Sequence, residues 1–198
     1  MSSETRTYPR RVQTEAGEIE FRLMAQADET AVLDFAQKLP VHDLLFLPRN
    51  ISQPKVLSAW INEIERGQIK SLLAVKDGIV VGCGTLVRDP HSWSPHVGEI
   101  RMVVSLDVRG QGVGRAVSQE TFALALGAGL EKLSVQMTVD QQAAIALFES
   151  LGFKAEALLR DHVRDVEGKK HDIVVLGHNV AQVRAQLEAY GLPGAVQH

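Results

Sequence analysis

The chain has 198 residues, and 21 Lys and Arg residues against 24 Asp and Glu residues give a formal net charge of −3 at pH 7. This near balance argues against a dedicated nucleic-acid binder, and no apolar run is long enough for a membrane helix. The single cysteine, Cys83, excludes an internal disulfide framework and a cysteine-based zinc site. We therefore expect a soluble cytoplasmic domain whose partners include neither nucleic acid nor a membrane.

The first third of the chain predicts one strand and two helices. Residues 1–17 are polar and aperiodic, which indicates a flexible arm or an arm that packs against an edge. Alternating apolar residues predict a half-buried strand over 18–23, and helical periods predict helices over 28–39 and 54–66. The segment 41–54 between the helices indicates an irregular loop or a short helix that covers a neighbouring part of the fold.

The next elements begin with a hairpin. Two apolar, β-branched runs over 71–76 and 79–87 are joined by Asp77-Gly78, a pair suited to a type I′ turn because both residues need positive φ. The elements predicted after it are strands over 97–105, 132–138, 154–163 and 170–176, helices over 110–126 and 141–151, and a last helix from Asn179 that carries Val183, Leu187 and Tyr190. The order βααβββαβαββ predicts one α/β domain of the α+β type with an antiparallel front half.

The most informative segment joins the strand at 97–105 to the helix after it. Three glycines alternate there, at Gly110, Gly112 and Gly114. Glycine lets the backbone approach a ligand closely, and free N–H groups at a helix N-terminus attract anions. The first turn holds Arg115 and no acidic residue, and Arg109 adds a second cation, so we expect this segment to bind phosphate.

Two common phosphate motifs do not match this segment. A P-loop needs a Lys-Ser/Thr pair that is absent, and the dinucleotide fingerprint needs a third glycine where Arg115 stands. One alternative is a glycine turn that only begins a helix. The pattern that remains, Arg109-x-x-Gly112-x-Gly114, resembles the pyrophosphate signature of the GCN5-related N-acetyltransferase (GNAT) superfamily, whose members bind acetyl-coenzyme A (acetyl-CoA).

A second segment strengthens this resemblance. Residues 141–153 read Gln-Gln-Ala-Ala-Ile-Ala-Leu-Phe-Glu-Ser-Leu-Gly-Phe and are similar to the family segment Asn-x-x-Ala-x-x-Leu-Tyr-x-x-x-Gly-Phe. The resemblance implies the GNAT fold, with a mixed, mostly antiparallel sheet of six to seven strands that is flanked by helices. The sheet is expected to splay between its fourth and fifth strands, here 97–105 and 132–138. The expected units are an arm over 1–17, the acetyltransferase domain over 18–177, and a helix with a tail over 178–198.

The resemblance also implies the residues that bind acetyl-CoA, the cosubstrate. The pantetheine arm and the thioester are expected on the main chain of Met102, Val103 and Val104. Gln141 stands where relatives have an asparagine that contacts pantetheine. The pyrophosphate is expected on the segment formed by Arg109, Gly110, Gln111, Gly112, Val113, Gly114 and Arg115.

Phe148 is the main departure from the family pattern. Many relatives have a tyrosine there, whose hydroxyl can protonate the departing CoA thiolate, and phenylalanine has no proton to give. Phe148 is therefore expected to form an apolar wall beside the thioester. Solvent can protonate the leaving group, because an alkyl thiol has a pKa of about 8.5.

The candidate catalytic base is Glu99. A lysine-type amine has a pKa of about 10.4 and must lose a proton before it attacks. Simple alternation places Glu99 on the opposite face from Val104 unless a β-bulge intervenes, and a surface ion pair with Arg101 is the alternative role. His91 and His96 are second candidates because histidine titrates near neutral pH.

Other polar residues favour structural roles. Cys83 lies between glycines on an apolar strand, which indicates a small buried side chain and no acyl-enzyme. Asp161, His162 and Asp165 lie on the last hairpin, where edge positions or a role in an acceptor pocket are expected. No His-Glu-x-x-His motif is present, and we expect no metal.

The expected function is transfer of an acetyl group from acetyl-CoA to a primary amine by direct attack in a ternary complex. The loops 41–54 and 89–96 and the last hairpin are expected to form the acceptor pocket. A small molecule, a protein lysine and a protein N-terminus all stay open as acceptors, and a homodimer is also left open. The alternative is a non-catalytic acyl-CoA-binding module that regulates a partner.

Overall fold

Single and grouped strands are separated by helices along the chain in the computed structural model, which describes residues 6–45, 47–67 and 69–181. The strands are β1 (Arg10–Thr14), β2 (Gly17–Leu23), β3 (Ile69–Lys76), β4 (Ile79–Val87), β5 (Val97–Val104), β6 (Lys132–Thr138), β7 (Lys154–Arg164) and β8 (Lys170–Asn179). The helices with both ends inside the described residues are α1 (Glu29–Lys38), α2 (Pro54–Glu65), α3 (Val113–Gly127) and α4 (Gln142–Ser150), and a short 3₁₀ helix spans Val41–Leu44.

All eight strands join one sheet in the order β1-β2-β3-β4-β5-β6-β8-β7. Every neighbouring pair is antiparallel except β5 and β6, which are parallel. Their pairing runs only from Val97–Lys132 to Ile100–Val135, and beyond it the two strands part. The predicted mixed, mostly antiparallel sheet with a splay at this position is confirmed, although it has eight strands instead of six to seven.

The additional strand is β1, which lies within the predicted N-terminal arm and pairs with β2 at the edge of the sheet. Its residues are mainly exposed, so the sequence shows no apolar alternation there. Glu120 of α3 is 3% exposed and lies 2.6 Å from a guanidinium nitrogen of Arg6. The Tyr8 hydroxyl donates to the same carboxylate at 3.1 Å. These contacts attach the arm to α3, far away in sequence.

Helices cover both faces of the sheet. The apolar faces of α1 and α2 pack on one face around Phe35, Leu57 and Leu73. Helix α3 packs on the opposite face around Val113 and Val117. A third buried cluster joins α4, β6 and β8. The predicted helices and strands between 18 and 176 are therefore confirmed within a few residues at each end.

Two turns show how glycine and aspartate determine element boundaries. Asp77 and Gly78 have φ angles of 49° and 79°, as the predicted type I′ hairpin requires. Gly110 and Gly112 have φ angles of 72° and 80°, so helix α3 begins at Val113 and not at Gly110. Helical backbone resumes at residues 180–181, directly after the predicted cap Asn179, but Val183, Leu187 and Tyr190 of the predicted last helix lie outside the described residues. Within the described part of the chain, no helix is long and apolar enough to cross a bilayer.

Candidate active site

A cleft of about 660 Å³ opens where β5 and β6 part. Its walls are the ends of these strands, the start of α4 and the segment 109–115, here called the glycine loop, of which Gln111 and Val113 do not border the cleft. A smaller cavity of about 250 Å³ lies beside α2. Met102 and Val103 border both spaces, so the end of β5 separates two cavities that meet at one strand.

The glycine loop leads directly into α3. Gly112 is the residue before the helix and has a left-handed backbone conformation, with φ of 80° and ψ of −10°. The first N–H groups of any helix have no acceptor inside it, and here they open onto the larger cleft. A Cβ atom built on Gly110 would have no described atom within 4 Å, so the backbone there is accessible. This segment can therefore accommodate an anion close to the main chain.

The two arginines of the glycine loop lie on different sides of the cleft. Arg115 donates to the Ser150 hydroxyl at 3.2 Å, beside the end of α4. Arg109 donates to the Val104 carbonyl from Nε at 3.3 Å and from Nη2 at 3.0 Å. The same Nη2 lies 2.6 Å from Oδ2 of Asp43. Arg109 thus joins the end of β5 to the 3₁₀ helix, so its guanidinium already has protein partners.

The main chain of Val104 faces the gap between β5 and β6. The N–H of Ser105 donates at 2.9 Å to the carbonyl of Val81 on the opposite side of β5. Because successive residues of a strand direct their N–H and C=O groups to opposite sides, the N–H of Val104 points into the gap. An N–H with this direction, beyond the last β5–β6 pair, is available to a ligand oxygen.

The two cofactor positions predicted on α4 both border the cleft. Gln141 precedes α4, and its side-chain oxygen accepts from the Thr138 N–H at 3.1 Å, which leaves the amide NH₂ as its donor. Phe148 is 4% exposed and packs edge-on against Phe153 at a ring separation of 5.2 Å. Phe148 therefore contributes an apolar wall to the cleft, and its role beside a thioester stays a prediction.

Glu99 is held by its neighbour on the same strand. Arg101 donates to both carboxylate oxygens, from Nε at 2.7 Å and from Nη2 at 3.2 Å. The β4–β5 register runs without a break, so there is no β-bulge, and Glu99 lies on the face opposite Val104. That face carries the smaller cavity, which Arg101 borders and Glu99 does not.

The loops predicted to form the acceptor pocket are only partly brought together. The loop 41–54 contributes to both cavities. His91 and His96 are exposed and border neither of them, although the main-chain oxygen of His96 accepts from the Glu131 and Lys132 N–H groups. The last hairpin approaches through His171, whose ring lies edge-on to another imidazole at 5.1 Å.

That other imidazole belongs to His42, a cleft residue that the sequence analysis did not single out. Its Nε2 lies 2.6 Å from Oδ2 of Asp140 and 3.5 Å from Oγ1 of Thr138. Asp140 also borders the cleft. The residues come from a loop and from a strand end that are remote in sequence, so no local spacing could reveal the group.

Cys83 is a buried side chain, as predicted. It is 2% exposed, and burial raises the pKa of its thiol to about 12, against a smaller lowering by a hydrogen bond with Thr85. A thiol in this environment is not a nucleophile at neutral pH. The part of the chain that the structure describes contains no group of three or more His, Cys, Asp or Glu side chains placed to hold a metal.

Comparison with known proteins gives the family. The model of the acetyltransferase (GNAT) family matches residues 39–153, which is more than half of the chain. The chain belongs to the GNAT acetyltransferase family. This confirms the resemblance found in the two sequence motifs, and acetyl-CoA is the acetyl donor of this family.

Two curated relatives carry acetyltransferase names. The chain is 33% identical over 84 residues to the probable N-acetyltransferase family 8 member 5 of Mus musculus, covering 41% of this chain and 37% of that protein. It is 33% identical over 94 residues to the IAA acetyltransferase of Azospirillum brasilense, covering 47% and 60%. The matches therefore span from about a third to three fifths of these relatives' own lengths.

Solved structures of GNAT proteins share the fold. An acetyltransferase of the family from Streptococcus pneumoniae aligns with a TM-score of 0.70 at 20% identity, over 81% of this chain and 99% of that one. A putative acetyltransferase from Salmonella typhimurium, solved with its cofactor acetyl-CoA, aligns with a TM-score of 0.69 at 18% identity, over 82% and 94%.

Proposed function

We propose that the chain is an N-acetyltransferase that moves the acetyl group of acetyl-CoA to a primary amine by direct attack in a ternary complex. The observation that supports this most is the meeting of the two cavities at Met102 and Val103, where β5 and β6 part. Acetyl-CoA would occupy the larger cleft, and the amine would arrive through the smaller cavity. Direct transfer is supported by the burial of Cys83, which leaves no reactive thiol to carry the acetyl group.

In this proposal the glycine loop holds the pyrophosphate. The N–H groups of 110–115 donate to phosphate oxygens, with the positive end of the α3 dipole behind them. Arg115 adds a charge-assisted donor at the rim of the cleft. Gln141 donates its amide to the pantetheine arm, and Phe148 packs against the end that carries the thioester.

The parted strand end supplies electrostatic stabilisation. The N–H of Val104 points into the gap and would donate to the thioester oxygen as negative charge develops on it during attack. Donors fixed in advance for such an oxygen lower the barrier, since they need no reorganisation when the charge appears. Holding amine and thioester in register supplies a further part of the rate.

Glu99, the base expected from the sequence, is one of two candidate bases in this proposal. It lies on the face of the sheet that carries the smaller cavity, and Arg101, its partner, borders that cavity. Glu99→Gln keeps the size of the side chain and removes its ability to accept a proton. A fall in kcat/KM of at least about 100-fold, which is the usual contribution of general base catalysis to the rate, would support Glu99 as the base. An unchanged kcat/KM would show that the Glu99–Arg101 pair has a structural role only.

The smaller cavity also favours a type of acceptor. Ile51, Val56 and Trp60 contribute apolar walls, and the charged groups at its rim include Arg49, which lies 3.3 Å from Glu63. A polycationic acceptor would be favoured by an acidic side chain that has no partner in the cavity. Here the Glu63 carboxylate is already paired with the Arg49 guanidinium. The lining supports an amine attached to an apolar group over a polyamine.

The deciding experiment follows CoA thiol release from acetyl-CoA with a panel of amines. The panel contains phenethylamine, spermidine, amino acids, a lysine peptide and peptides with free N-termini. We expect amine-dependent release, confirmed by mass of the acetylated product and fastest with an apolar amine. Tight CoA binding with no release for any amine would favour the regulatory acyl-CoA-binding module instead.

A further inference from the structure

His42 occupies a distinctive position over the larger cleft. It lies on the 3₁₀ helix Val41–Leu44, in the loop that reaches across the parted strands. Its side chain is 36% exposed and borders the cleft, where it is the one imidazole among the described lining residues. A ring in this place can reach both solvent and a bound reactant.

The contacts of His42 orient its ring. Asp140 Oδ2 lies 2.6 Å from Nε2, a distance at which the carboxylate accepts the Nε2–H. Nδ1 then carries the free lone pair, and no hydrogen bond to Nδ1 is found among the described residues. A carboxylate that holds one nitrogen of an imidazole fixes the tautomer and stabilises the imidazolium that forms when the other nitrogen takes a proton.

The carboxylate of Asp140 is itself kept ionised. Burial raises the pKa of this carboxyl, but hydrogen bonds from Thr138 and from its own N–H, together with the nearby His42 ring, hold the pKa below its usual value. Asp140 therefore carries its negative charge throughout the neutral range.

The other charged groups around His42 are paired. The His171 ring of β8 meets His42 edge-on, and its Nε2 lies 2.7 Å from Oδ2 of Asp165. Asp43, the next residue of the chain, pairs with Arg109 across the cleft. Asp140 is thus the carboxylate that contacts the His42 ring directly, while Asp43 and Asp165 each contact another side chain.

We propose that His42 is a catalytic base of the acetyl transfer, with Asp140 as its positioning residue. This inference rests on the proposed function. The ammonium form of the acceptor gives one proton to Nδ1 of His42, and the neutral nitrogen forms the C–N bond with the thioester carbon. The C–S bond then breaks with its electron pair on sulfur, and a second nitrogen proton ends on that sulfur to give free CoA. The proton on His42 passes to solvent.

The alternatives for a base are less favourably placed. Both oxygens of Glu99 accept from Arg101, on the sheet face opposite the Val104 side chain. His91 and His96 border neither cavity. His42 combines access to the cleft, an orienting carboxylate and a free nitrogen.

The test compares His42→Gln with Asp140→Asn and the matched control His91→Gln. Thiol release is measured across roughly pH 5 to 8, the range in which histidine side chains titrate. The acceptors are the fastest amine of the panel and hydroxylamine. The two are compared in the upper part of this range, where hydroxylamine is mostly neutral and needs no base to remove a proton before it attacks. CoA affinity by calorimetry and thermal melting are recorded for each variant.

We expect His42→Gln to lower kcat/KM for the protonated amine by about 100-fold or more, and to remove the limb of the pH profile in this range. Hydroxylamine should lose less than tenfold, CoA affinity should stay within twofold, and Asp140→Asn should give a smaller loss. His91→Gln should match the wild type.

Three outcomes would overturn the assignment, and they have different meanings. A His42→Gln enzyme that keeps its rate and its pH profile would remove His42 from the chemistry. Equal losses of kcat/KM for both acceptors, together with weakened CoA binding, would show that His42 only holds the structure of the cleft. Wild-type protein that releases no thiol with any amine would remove the proposed function itself, and the base assignment with it.

Discussion

Gly84 provides the sharpest test of how α3 is seated on the sheet. An ideal Cβ at this position of β4 would lie 2.0 Å from Oγ1 of Thr121 and 3.0 Å from Cγ1 of Val117. Both side chains are buried, at 0% and 1% exposure, and the Thr121 hydroxyl donates to the Val117 carbonyl at 2.8 Å. Gly84→Ala therefore has to displace α3 or turn the Thr121 side chain out of its hydrogen bond, and we expect a loss of about 1–3 kcal/mol in the free energy of unfolding.

Urea unfolding at neutral pH measures this loss, and a melting point lowered by about 3 °C per kcal/mol accompanies it. Gly177→Ala is the control, because the atoms nearest its Cβ belong to the end of the exposed Glu156 side chain, which can swing away. Adding Thr121→Ala to Gly84→Ala removes the 2.0 Å contact and should restore part of the stability. A Gly84→Ala protein as stable as the control, or a double variant with purely additive losses, would refute this account of the packing.

Three further predictions concern the loop and two buried ionisable groups. Gly112→Val places a β-branched residue at φ of 80°, which should cost about 1–2 kcal/mol of stability in urea and abolish CoA binding in calorimetry. Arg22→Ala removes hydrogen bonds of 2.6 and 2.7 Å to buried Asp28, and should cost about 1.5–3 kcal/mol at pH 7. Because the bond from Arg22 lowers the pKa of Asp28, this difference should vanish as the pH falls well below about 3.9. Burial lowers the pKa of His178, so wild-type stability should fall as the pH drops below about 6.5, while His178→Phe should lack that slope.

Local signals predicted most of the fold. The Asp77-Gly78 pair determines its hairpin through its own backbone preference, and the helix at 54–66 follows from one apolar face. Strand β1 was not predicted, because Arg10–Thr14 has no apolar alternation. Its attachment depends on Glu120, an acidic residue whose partners become visible only after α3 has packed on the sheet.

The candidate site likewise contains features that depend on local sequence and features that depend on long-range contacts. The glycine loop is contiguous, so its sequence pattern predicted a strand, a glycine turn and a helix in succession, although the helix begins at Val113 and not at Gly110. The side-chain contacts that join the 3₁₀ helix to the cleft, His42–Asp140 and Asp43–Arg109, connect residues from separate loops. Because the partners lie far apart in the sequence, residue spacing within one segment could not predict these contacts.

A crystal structure with CoA bound would show directly whether the cleft between β5 and β6 is the cofactor site. We expect the pyrophosphate within hydrogen-bonding distance of the N–H groups of 110–115 and the thiol end in the gap beside Val104, with Phe148 against it. The His42 ring should then lie within reach of an amine that enters through the smaller cavity. CoA bound outside the gap between β5 and β6, or with its pyrophosphate away from the glycine loop, would contradict this assignment.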